Sequence, residues 1–270
     1  MLRCFVRLNR SLDALDNVAV FLSRRNVPFP FVATTTRNGL ATLLPVRFFM
    51  QIIDLGTRSY RDAWAEQERA HAEVAGGAPE RVLLVEHPPV ITLGRRAGID
   101  RNLLASPEQL EAMGVEVVQS DRGGDITFHG PGQLVVYPII RLIDHTLSVG
   151  AYVHGLEDAV VRLLQSVDLP SAHRDASAVG VWVHPGNDPS RPAEKVCAIG
   201  VRIRRGVTLH GLALNVSTDL AFFDLIVPCG LVSRPVTSLA RLLGDRAPTM
   251  PDVKQRIARE LKLVFERGSV

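Results

Sequence analysis

The chain has 270 residues, of which 46% are hydrophobic and 22% charged, a composition typical of a globular protein with a substantial core. The formal net charge is +3, but residues 1–49 hold seven arginines, no lysine and two acids, which gives this segment +5 and leaves the remainder at −2. The near-neutral remainder excludes a general attraction to nucleic acid, and no apolar run is long enough to cross a bilayer. We therefore predict no nucleic-acid partner and no membrane partner.

The arginine-rich segment 1–49 shows no sustained helical or strand period. Three interpretations remain: a transit peptide, a basic extension, or the product of an upstream start codon, with Met50 as the true start. Transit peptides are usually rich in serine, and the segment has only two serines, which counts weakly against the first interpretation. In each case we predict that 1–49 lies outside the fold and that 50–266 forms one catalytic domain. The three cysteines fit neither a zinc site nor a disulfide framework, which indicates reduced thiols in a cytoplasmic protein, or a mitochondrial one if the segment is a transit peptide.

From Met50 the chain alternates between strand and helix patterns. A strand is predicted to be interrupted at Glu86-His87-Pro88-Pro89, because proline donates no ladder hydrogen bond. Residues 219–226 fit neither pattern. The order predicts an α/β fold, a mixed sheet with flanking helices. The predicted elements are strand 51–55, helix 58–75, strands 81–84 and 90–93, helix 107–113, strands 115–118 and 134–140, helix 152–167, strand 178–183, a hairpin of strands 195–203 and 207–214, and helix 252–265.

A glycine loop spans residues 122–133, with the sequence Arg-Gly-Gly-Asp-Ile-Thr-Phe-His-Gly-Pro-Gly-Gln. Its four glycines and one proline disfavour both helix and strand, and glycine lets another group approach the backbone closely. No Gly-Lys-Ser/Thr follows, so it is not a Walker phosphate loop, and it does not open a helix as dinucleotide-binding loops do. We interpret it as a substrate cradle between buried strands, with a plain long turn or a phosphate site of unusual type as the alternatives.

Cys229 is the candidate nucleophile, since it lies between Pro228 and Gly230 after an apolar run. A thiol at a tight turn is both held and reachable, and its thiolate is the reactive form; a small buried side chain is the alternative. Lys195 begins a strand after a polar loop, where its ammonium would lower the pKa of a neighbouring thiol, or would simply be solvated. Cys197 lies two residues after Lys195, so on a strand both side chains are expected on the same side of the sheet. The apolar neighbours of Cys197 favour a packed thiol.

His129 and His210 each precede a glycine, and either would serve as general base to a thiol. A hydrogen-bonded structural imidazole is the alternative for both. The eight histidines show no metal-ligand spacing, so we predict no metal and no other cofactor. The basic pairs Arg95-Arg96 and Arg204-Arg205 are predicted to be solvated or to contact an acidic protein partner.

Taken together, these motifs resemble the lipoyl(octanoyl) transferases, or octanoyl-[acyl-carrier-protein]:protein transferases. The resemblance rests on the glycine loop followed by Tyr137-Pro138, on Lys-Val-Cys-Ala-Ile-Gly at 195–200, on Thr-Leu-His-Gly-Leu-Ala-Leu-Asn at 208–215 and on Ile-Val-Pro-Cys-Gly at 226–230. It covers about residues 50–245, in the family's order. It implies the catalytic domain fold of the biotin/lipoate protein ligases.

The resemblance also implies the reaction. An octanoyl group would pass from octanoyl-acyl carrier protein, through a cysteine thioester, to a specific lysine of a lipoyl domain in a 2-oxoacid dehydrogenase or of the glycine-cleavage H protein. This is the first step of endogenous lipoate synthesis and needs no ATP, because the thioester supplies the energy. The family nucleophile falls on Cys229, and the lysine that lowers its pKa falls on Lys195, for which proton transfer to the attacking amine is a further hypothesis. The implied substrate-binding residues are Arg122, Gly123, Gly124, Asp125, Ile126, Thr127, Phe128, His129, Ala198, Ile199, Gly200, Gly211, Leu212 and Ala213.

Three other functions compete with this interpretation. An ATP-dependent lipoate or biotin ligase would form an acyl-adenylate and need no nucleophilic cysteine. A non-catalytic protein that binds acyl chains or docks their carrier would show no turnover. A cysteine hydrolase would release free octanoate.

Overall fold

The computed structural model describes residues 50–227 and 234–265, together with the backbone of three short strands nearer the N-terminus. These strands, β1 (Val20–Leu22), β2 (Phe31–Thr35) and β3 (Ala41–Pro45), form an antiparallel sheet of their own. The sequence pattern of 1–49 did not predict them. That 1–49 lies outside the catalytic fold stays a prediction.

The remaining elements follow the predicted order closely. The strand His173–Asp175 and the helix Leu239–Leu243 were not predicted, and residues 219–226 contain a 3-10 helix, Leu220–Leu225. The elements are β4 (Gln51–Thr57), α1 (Tyr60–Ala75), β5 (Arg81–Glu86), β6 (Val90–Leu93), α2 (Pro107–Ala112), β7 (Glu116–Gln119), β8 (Thr127–His129), β9 (Gln133–Ile139), α3 (Val149–Gln165), β10 (His173–Asp175), β11 (Ala178–Val183), β12 (Glu194–Arg204), β13 (Val207–Asn215), α4 (Leu239–Leu243) and α5 (Met250–Phe265).

A seven-stranded mixed sheet forms the centre of the domain, in the order β10-β11-β12-β13-β9-β5-β4. Its pairs are antiparallel except β4 with β5. The predicted hairpin is confirmed, with β12 and β13 paired from Cys197↔Leu214 to Arg204↔Val207. This mixed sheet with helices on both faces confirms the predicted α/β fold class.

The helices cover the two faces of this sheet because each carries an apolar stripe. On α3, Tyr152, Leu156, Val160 and Leu163 are fully buried at helical spacing, and α5 buries its own stripe against them. α1 covers the opposite face with Ala63, Ala70 and Val74 against β5, β9 and β13. Each of these apolar stripes faces the sheet, so a separate hydrophobic core lies on each side of it. Within the described ranges, no helix has the length and apolarity needed to cross a bilayer.

A second sheet of three strands, ordered β7-β6-β8, packs beside the first. β6 joins this second sheet rather than continuing β5, because the Glu86-His87-Pro88-Pro89 interruption separates them. β8 pairs with β6 through Val90↔His129 and Thr92↔Thr127. The prediction that the glycine loop contains no strand is therefore wrong at Thr127–His129. These three residues lie between the glycines of the loop and pair with β6.

Candidate functional site

A cleft lies between the two sheets. The cleft floor consists of residues 198–200 of β12 and 210–213 of β13. The glycine loop forms the facing wall. Tyr60 of α1 and Val135 and Tyr137 of β9 complete the lining. These three residues were not predicted as site residues, although Tyr137 belongs to the motif quoted after the glycine loop.

Small residues line the cleft floor. Ala198 pairs with Ala213, and Gly200 pairs with Gly211. A Cβ on Gly211 would lie 2.1 Å from the Val136 carbonyl oxygen, and one on Gly200 would lie 2.8 Å from the Gly123 carbonyl oxygen. Backbone therefore packs directly on backbone here, and larger side chains at these positions are excluded.

The cleft continues along β12 and β13 to Lys195. A smaller cavity there shares Thr127, Ala198 and Ala213 with the main cleft. Its remaining lining is Gln133, Lys195, Asn215, Phe223 and Val236. One groove thus runs from the Gly200–Gly211 pair to the Lys195 side chain.

Lys195 is buried, and its Nζ donates a hydrogen bond to the Val179 carbonyl oxygen over 3.0 Å. The same Nζ lies 4.7 Å from the centroid of the Trp182 ring, in cation–π range. The backbone of Lys195 is bound on both sides, since its N donates to the Pro235 oxygen and its oxygen accepts from Thr237 N. The position of the ammonium at the end of the groove is therefore fixed.

Cys229 lies outside the described residues, as does the turn predicted at 228–230. The described residues on either side of that segment contact the site. Val227 N donates to the Asn102 oxygen over 2.8 Å, and the Asn102 side chain binds Asp125. Pro235 binds Lys195, as above.

Cys197 is fully buried in the core between the large sheet and α3, which confirms the packed thiol. Burial raises the pKa of this thiol to about 12. The prediction that Lys195 and Cys197 share a side is wrong. The register of β11 and β12 shifts between Val181 and Trp182, so an extra residue of β12 breaks the alternation, and only Lys195 reaches the groove.

Two residues of the glycine loop fix its shape. Arg122 is buried and donates from Nε and Nη2 to the Thr92 hydroxyl, at 3.1 and 2.9 Å, and from Nη2 to the Thr92 carbonyl oxygen. Asp125 accepts from Asn102, from the backbone of Ile126 and from Arg96. Burial raises the pKa of Asp125, but these three donors outweigh it and hold the pKa below its usual value. A charged carboxylate therefore anchors the loop.

His129 is bonded on both ring nitrogens, Nδ1 to Gln133 Oε1 at 2.7 Å and Nε2 to the Thr92 hydroxyl at 3.4 Å. Burial, followed by the nearby His87, lowers its pKa well below the usual value. His87 itself is bonded to the Arg58 oxygen and to the Tyr137 hydroxyl, and burial lowers its pKa to about 4. Both imidazoles are therefore neutral hydrogen-bonding groups under the cleft. The sequence analysis missed His87, which lies in the segment interpreted only as a strand interruption.

His210 lines the cleft in a left-handed backbone conformation, with φ of +58°. Its Nε2 bonds Asp121 Oδ1 at 2.6 Å, and Arg202 also pairs with Asp121. The hydrogen bond from His210 lowers the pKa of Asp121, so this carboxylate is charged. His210 Nδ1 is buried and has no hydrogen-bond partner among the described residues. Asp121 directly precedes the glycine loop but was not predicted as a site residue.

The structure brings most of the predicted binding residues together. Two do not line the cleft: Gly123 N bonds the Val201 oxygen, and Phe128 stacks on Phe222 in the core of the small sheet. Their binding roles, and those of the others, stay predictions. Among the described residues, no group of three His, Cys, Asp or Glu side chains is placed to hold a metal ion. The predicted residues that line the cleft are Arg122, Gly124, Asp125, Ile126, Thr127, His129, Ala198, Ile199, Gly200, Gly211, Leu212 and Ala213.

Comparison with known proteins gives matches over most of the chain. The family model of the lipoyl protein ligase A/B catalytic domain matches residues 59–262. An octanoyltransferase of Chloroflexus aurantiacus is 51% identical over 213 residues, which are 78% of this chain and 92% of that protein. An octanoyltransferase of Bacteroides fragilis is 48% identical over 208 residues, covering 75% of this chain and 91% of its own length.

Solved structures show the same fold at low identity. The crystal structure of a lipoate-protein ligase A bound with ATP superposes with a TM-score of 0.64 at 16% identity, over 79% of this chain and 84% of that one. A bi-partite lipoate protein ligase from Thermoplasma acidophilum gives a TM-score of 0.60 at 15% identity, over 79% and 82%. These likenesses confirm the predicted lipoate-ligase fold.

Proposed function

Because the chain belongs to the lipoyl protein ligase A/B catalytic domain family and matches octanoyltransferases along most of their length, we propose that it carries an octanoyl group from octanoyl-acyl carrier protein to lipoyl domains. The acceptor is a specific lysine in the lipoyl domain of a 2-oxoacid dehydrogenase or in the glycine-cleavage H protein. The transfer passes through a thioester on Cys229 and uses no ATP. It is the first step of lipoate synthesis on the protein.

The observation that carries this proposal is the groove of small residues that ends at Lys195. Ala198, Gly200, Gly211 and Ala213 line the cleft floor without bulky side chains, which suits an unbranched acyl chain. Lys195 holds its ammonium at one end of that groove. Cys229 follows Val227 by two positions in the sequence, and Val227 is bound beside Asp125 through Asn102. A thiolate near the Lys195 ammonium is favoured by the opposite charge.

The proposed chemistry is two successive acyl transfers. In the first, the Cys229 thiolate attacks the carbonyl carbon of the donor thioester; a new C–S bond forms and the carrier thiolate leaves, taking a proton from the Lys195 ammonium. In the second, the neutral acceptor amine attacks the enzyme thioester; an amide C–N bond forms, the Cys229 thiolate leaves, and Lys195 accepts the proton that the amine loses. Each cycle ends with the thiolate and the ammonium restored. Backbone N–H groups of the glycine loop are candidate donors to the developing oxyanion.

Intact-protein mass spectrometry tests the thioester. The wild type is mixed with octanoyl-acyl carrier protein in the absence of ATP, beside Cys229→Ser and the control Cys197→Ala, which alters the buried thiol of β12. We expect a gain of one octanoyl group on the wild type and on Cys197→Ala, none on Cys229→Ser, and loss of the adduct when apo lipoyl domain is added. An adduct that persists in Cys229→Ser would exclude Cys229 as the acyl carrier.

The same experiment separates the competing functions. Modification of the lipoyl domain only when ATP and free octanoate are supplied would make the protein a ligase. Tight binding of the donor with no transfer would make it a binding protein. Free octanoate released without an acceptor would make it a hydrolase.

A further inference from the structure

His210 lies at the end of the groove away from Lys195. Along β13, the cleft-lining residues run from Ala213 through Leu212 and Gly211 to His210, where the lining stops. The opposite strand stops at Gly200, which pairs with Gly211. The next pair is Val201 with His210, and Arg202 with Leu209 follows it. Both pairs carry larger side chains than the two glycines. The row of small residues on the cleft floor therefore ends at the imidazole of His210.

Three contacts hold the His210 imidazole in place. Its Nε2 is bonded to Asp121, its backbone N donates to Gln67 Oε1 over 2.8 Å, and Trp64 of α1 packs against its ring at 6.0 Å. The side chain is only 2% exposed. We call His210 and Asp121 the end wall.

The end wall is also chemically unsuited to contact with the additional methylene groups of a longer acyl chain. Asp121 is a carboxylate paired with both His210 and Arg202, and moving the imidazole aside would remove the hydrogen bond between His210 and this charge. His210 Nδ1 already lacks a partner among the described residues, and an apolar methyl group would not supply one. Leaving buried polar groups unpaired costs more than burying one further methylene gains.

We propose that His210, positioned by Asp121, sets the longest acyl chain that the site accepts. The inference rests on the proposed function, because the reacting carbonyl must lie at the Lys195 end for the far end to measure length. A groove with one reactive end and one closed end accepts chains up to a fixed number of carbons. Chains with more carbons are rejected because the end wall does not yield. Asp121 acts as a positioning residue and does not touch the chain.

Two substitutions open the closed end. His210→Asn shortens the side chain and keeps a residue type that tolerates φ above zero, and His210→Gly removes the side chain and the backbone strain together. The measurement is the ratio of kcat/KM for octanoyl-carrier to that for decanoyl-carrier. Since one methylene in a fitted apolar pocket changes specificity by about tenfold or more, we expect the preference for octanoyl to fall by at least about tenfold in both variants. Asp121→Asn, which loosens the imidazole without removing it, is expected to lower the ratio less.

The matched control is His71→Asn. His71 lies on α1 and bonds the Arg204 oxygen at the far side of the hairpin, away from the cleft lining. We expect its ratio to equal that of the wild type. An unchanged ratio in both His210 variants would overturn the proposal, as would an equal change in His71→Asn.

Binding to the unaltered protein provides a test that does not depend on the variants folding. In a crystal structure with octanoic acid, we expect the last carbon within about 4 Å of the His210 ring; a chain that ends elsewhere would overturn the end wall. A wild type that transfers no octanoyl group would refute the proposed function instead. In that case the relative affinities for octanoic and decanoic acid, measured by calorimetry on wild type and His210→Asn, still decide whether the imidazole limits length.

Discussion

His129 Nδ1 and Gln133 Oε1 lie 2.7 Å apart, and the other bonds of Gln133 determine which atom carries the proton. Gln133 Nε2 donates to the Phe128 oxygen and to Asn215 Oδ1, so its Oε1 is left to accept. The proton of the neutral imidazole is therefore on Nδ1, and Nε2 accepts from the Thr92 hydroxyl. Asn215 in turn donates to the Thr237 oxygen. One chain of hydrogen bonds thus joins the glycine loop to the residues that pair with Lys195.

Replacing Gln133 with leucine breaks this chain at its middle. The change leaves His129 Nδ1 and Asn215 Oδ1 buried without partners, and each unsatisfied group costs about 1–3 kcal/mol. We expect the free energy of unfolding, measured by urea titration, to fall by at least about 2 kcal/mol. Gln109→Leu on the exposed face of α2 is the control and should change it by less than about 0.5 kcal/mol. Equal effects of the two changes would contradict the network.

Lys195→Met keeps an unbranched side chain and removes the charge at the end of the groove. If Lys195 stabilises a Cys229 thiolate, its loss moves the pKa of that thiol up towards or beyond the value of about 8.5 for free cysteine. We expect the alkylation of Cys229 by iodoacetamide, followed by peptide mass spectrometry, to require a higher pH in the variant. Lys262→Met, on the exposed face of α5, is the control and should leave the pH dependence of Cys229 alkylation unchanged. Identical profiles for Lys195→Met and wild type would remove Lys195 from thiol activation.

A buried ion pair makes stability depend on pH. His145 Nε2 bonds Glu80 Oε2 at 2.7 Å and Nδ1 bonds the Phe265 oxygen at 2.8 Å, with the side chains only 5% and 1% exposed. Burial lowers the pKa of His145, but the hydrogen bond and charge of Glu80, followed by the bond to Phe265, outweigh it, and the pKa is raised. The imidazolium therefore stabilises the fold fully below the unfolded-state pKa of about 6.5 and loses this effect as pH rises through the raised folded-state pKa.

His145→Gln tests that dependence. Near pH 6 the change leaves Glu80 buried beside a neutral side chain, and breaking a buried pair costs about 3–5 kcal/mol. We expect the difference in unfolding free energy between wild type and variant to be largest near pH 6 and to shrink towards about pH 9. His184→Gln in the loop after β11 serves as the control. A difference that grows with pH would show that His145 is neutral in the folded protein.

Two glycine-to-alanine changes are expected to have opposite signs. Gly211→Ala places a Cβ 2.1 Å from the Val136 carbonyl oxygen, a backbone atom that cannot move without opening the ladder between β13 and β9. Gly150→Ala, in the exposed first turn of α3, meets only the Ser148 hydroxyl at 4.0 Å. We expect thermal unfolding to show a lower Tm for Gly211→Ala and a gain of roughly 0.5–1 kcal/mol for Gly150→Ala. A stable Gly211→Ala protein would mean that β9 and β13 are not packed this closely.

The parts of the fold that the sequence predicted are those fixed by local patterns. The spacing of Leu156, Val160 and Leu163 predicts α3 because a helix repeats its buried side every three to four residues. The structure begins α3 three residues earlier than predicted because the Ser148 side chain accepts from Ala151 N and caps it. The Ser106 side chain caps α2 in the same way, because it accepts from Gln109 N.

The parts that were missed depend on contacts distant in sequence. β6 pairs with β8 across more than thirty residues, which no local period indicates. β10 is a short strand of three polar residues, so it lacks the apolar alternation that predicts strands. The left-handed backbone of His210 was also unpredictable, since only its tertiary contacts with Asp121 and Gln67 hold it there.

The two sides of the cleft differ in stiffness. β12 is hydrogen-bonded to β11 and β13, and β13 to β12 and β9, so the cleft floor cannot widen without breaking interior ladders. The facing wall belongs to a sheet of only three strands, joined to the cleft floor through Gly123 N and the Val201 oxygen and through Asp121. A widening of the cleft that keeps these interior ladders has to come from the facing wall, so we expect the release of a bound molecule to depend on how firmly the small sheet packs.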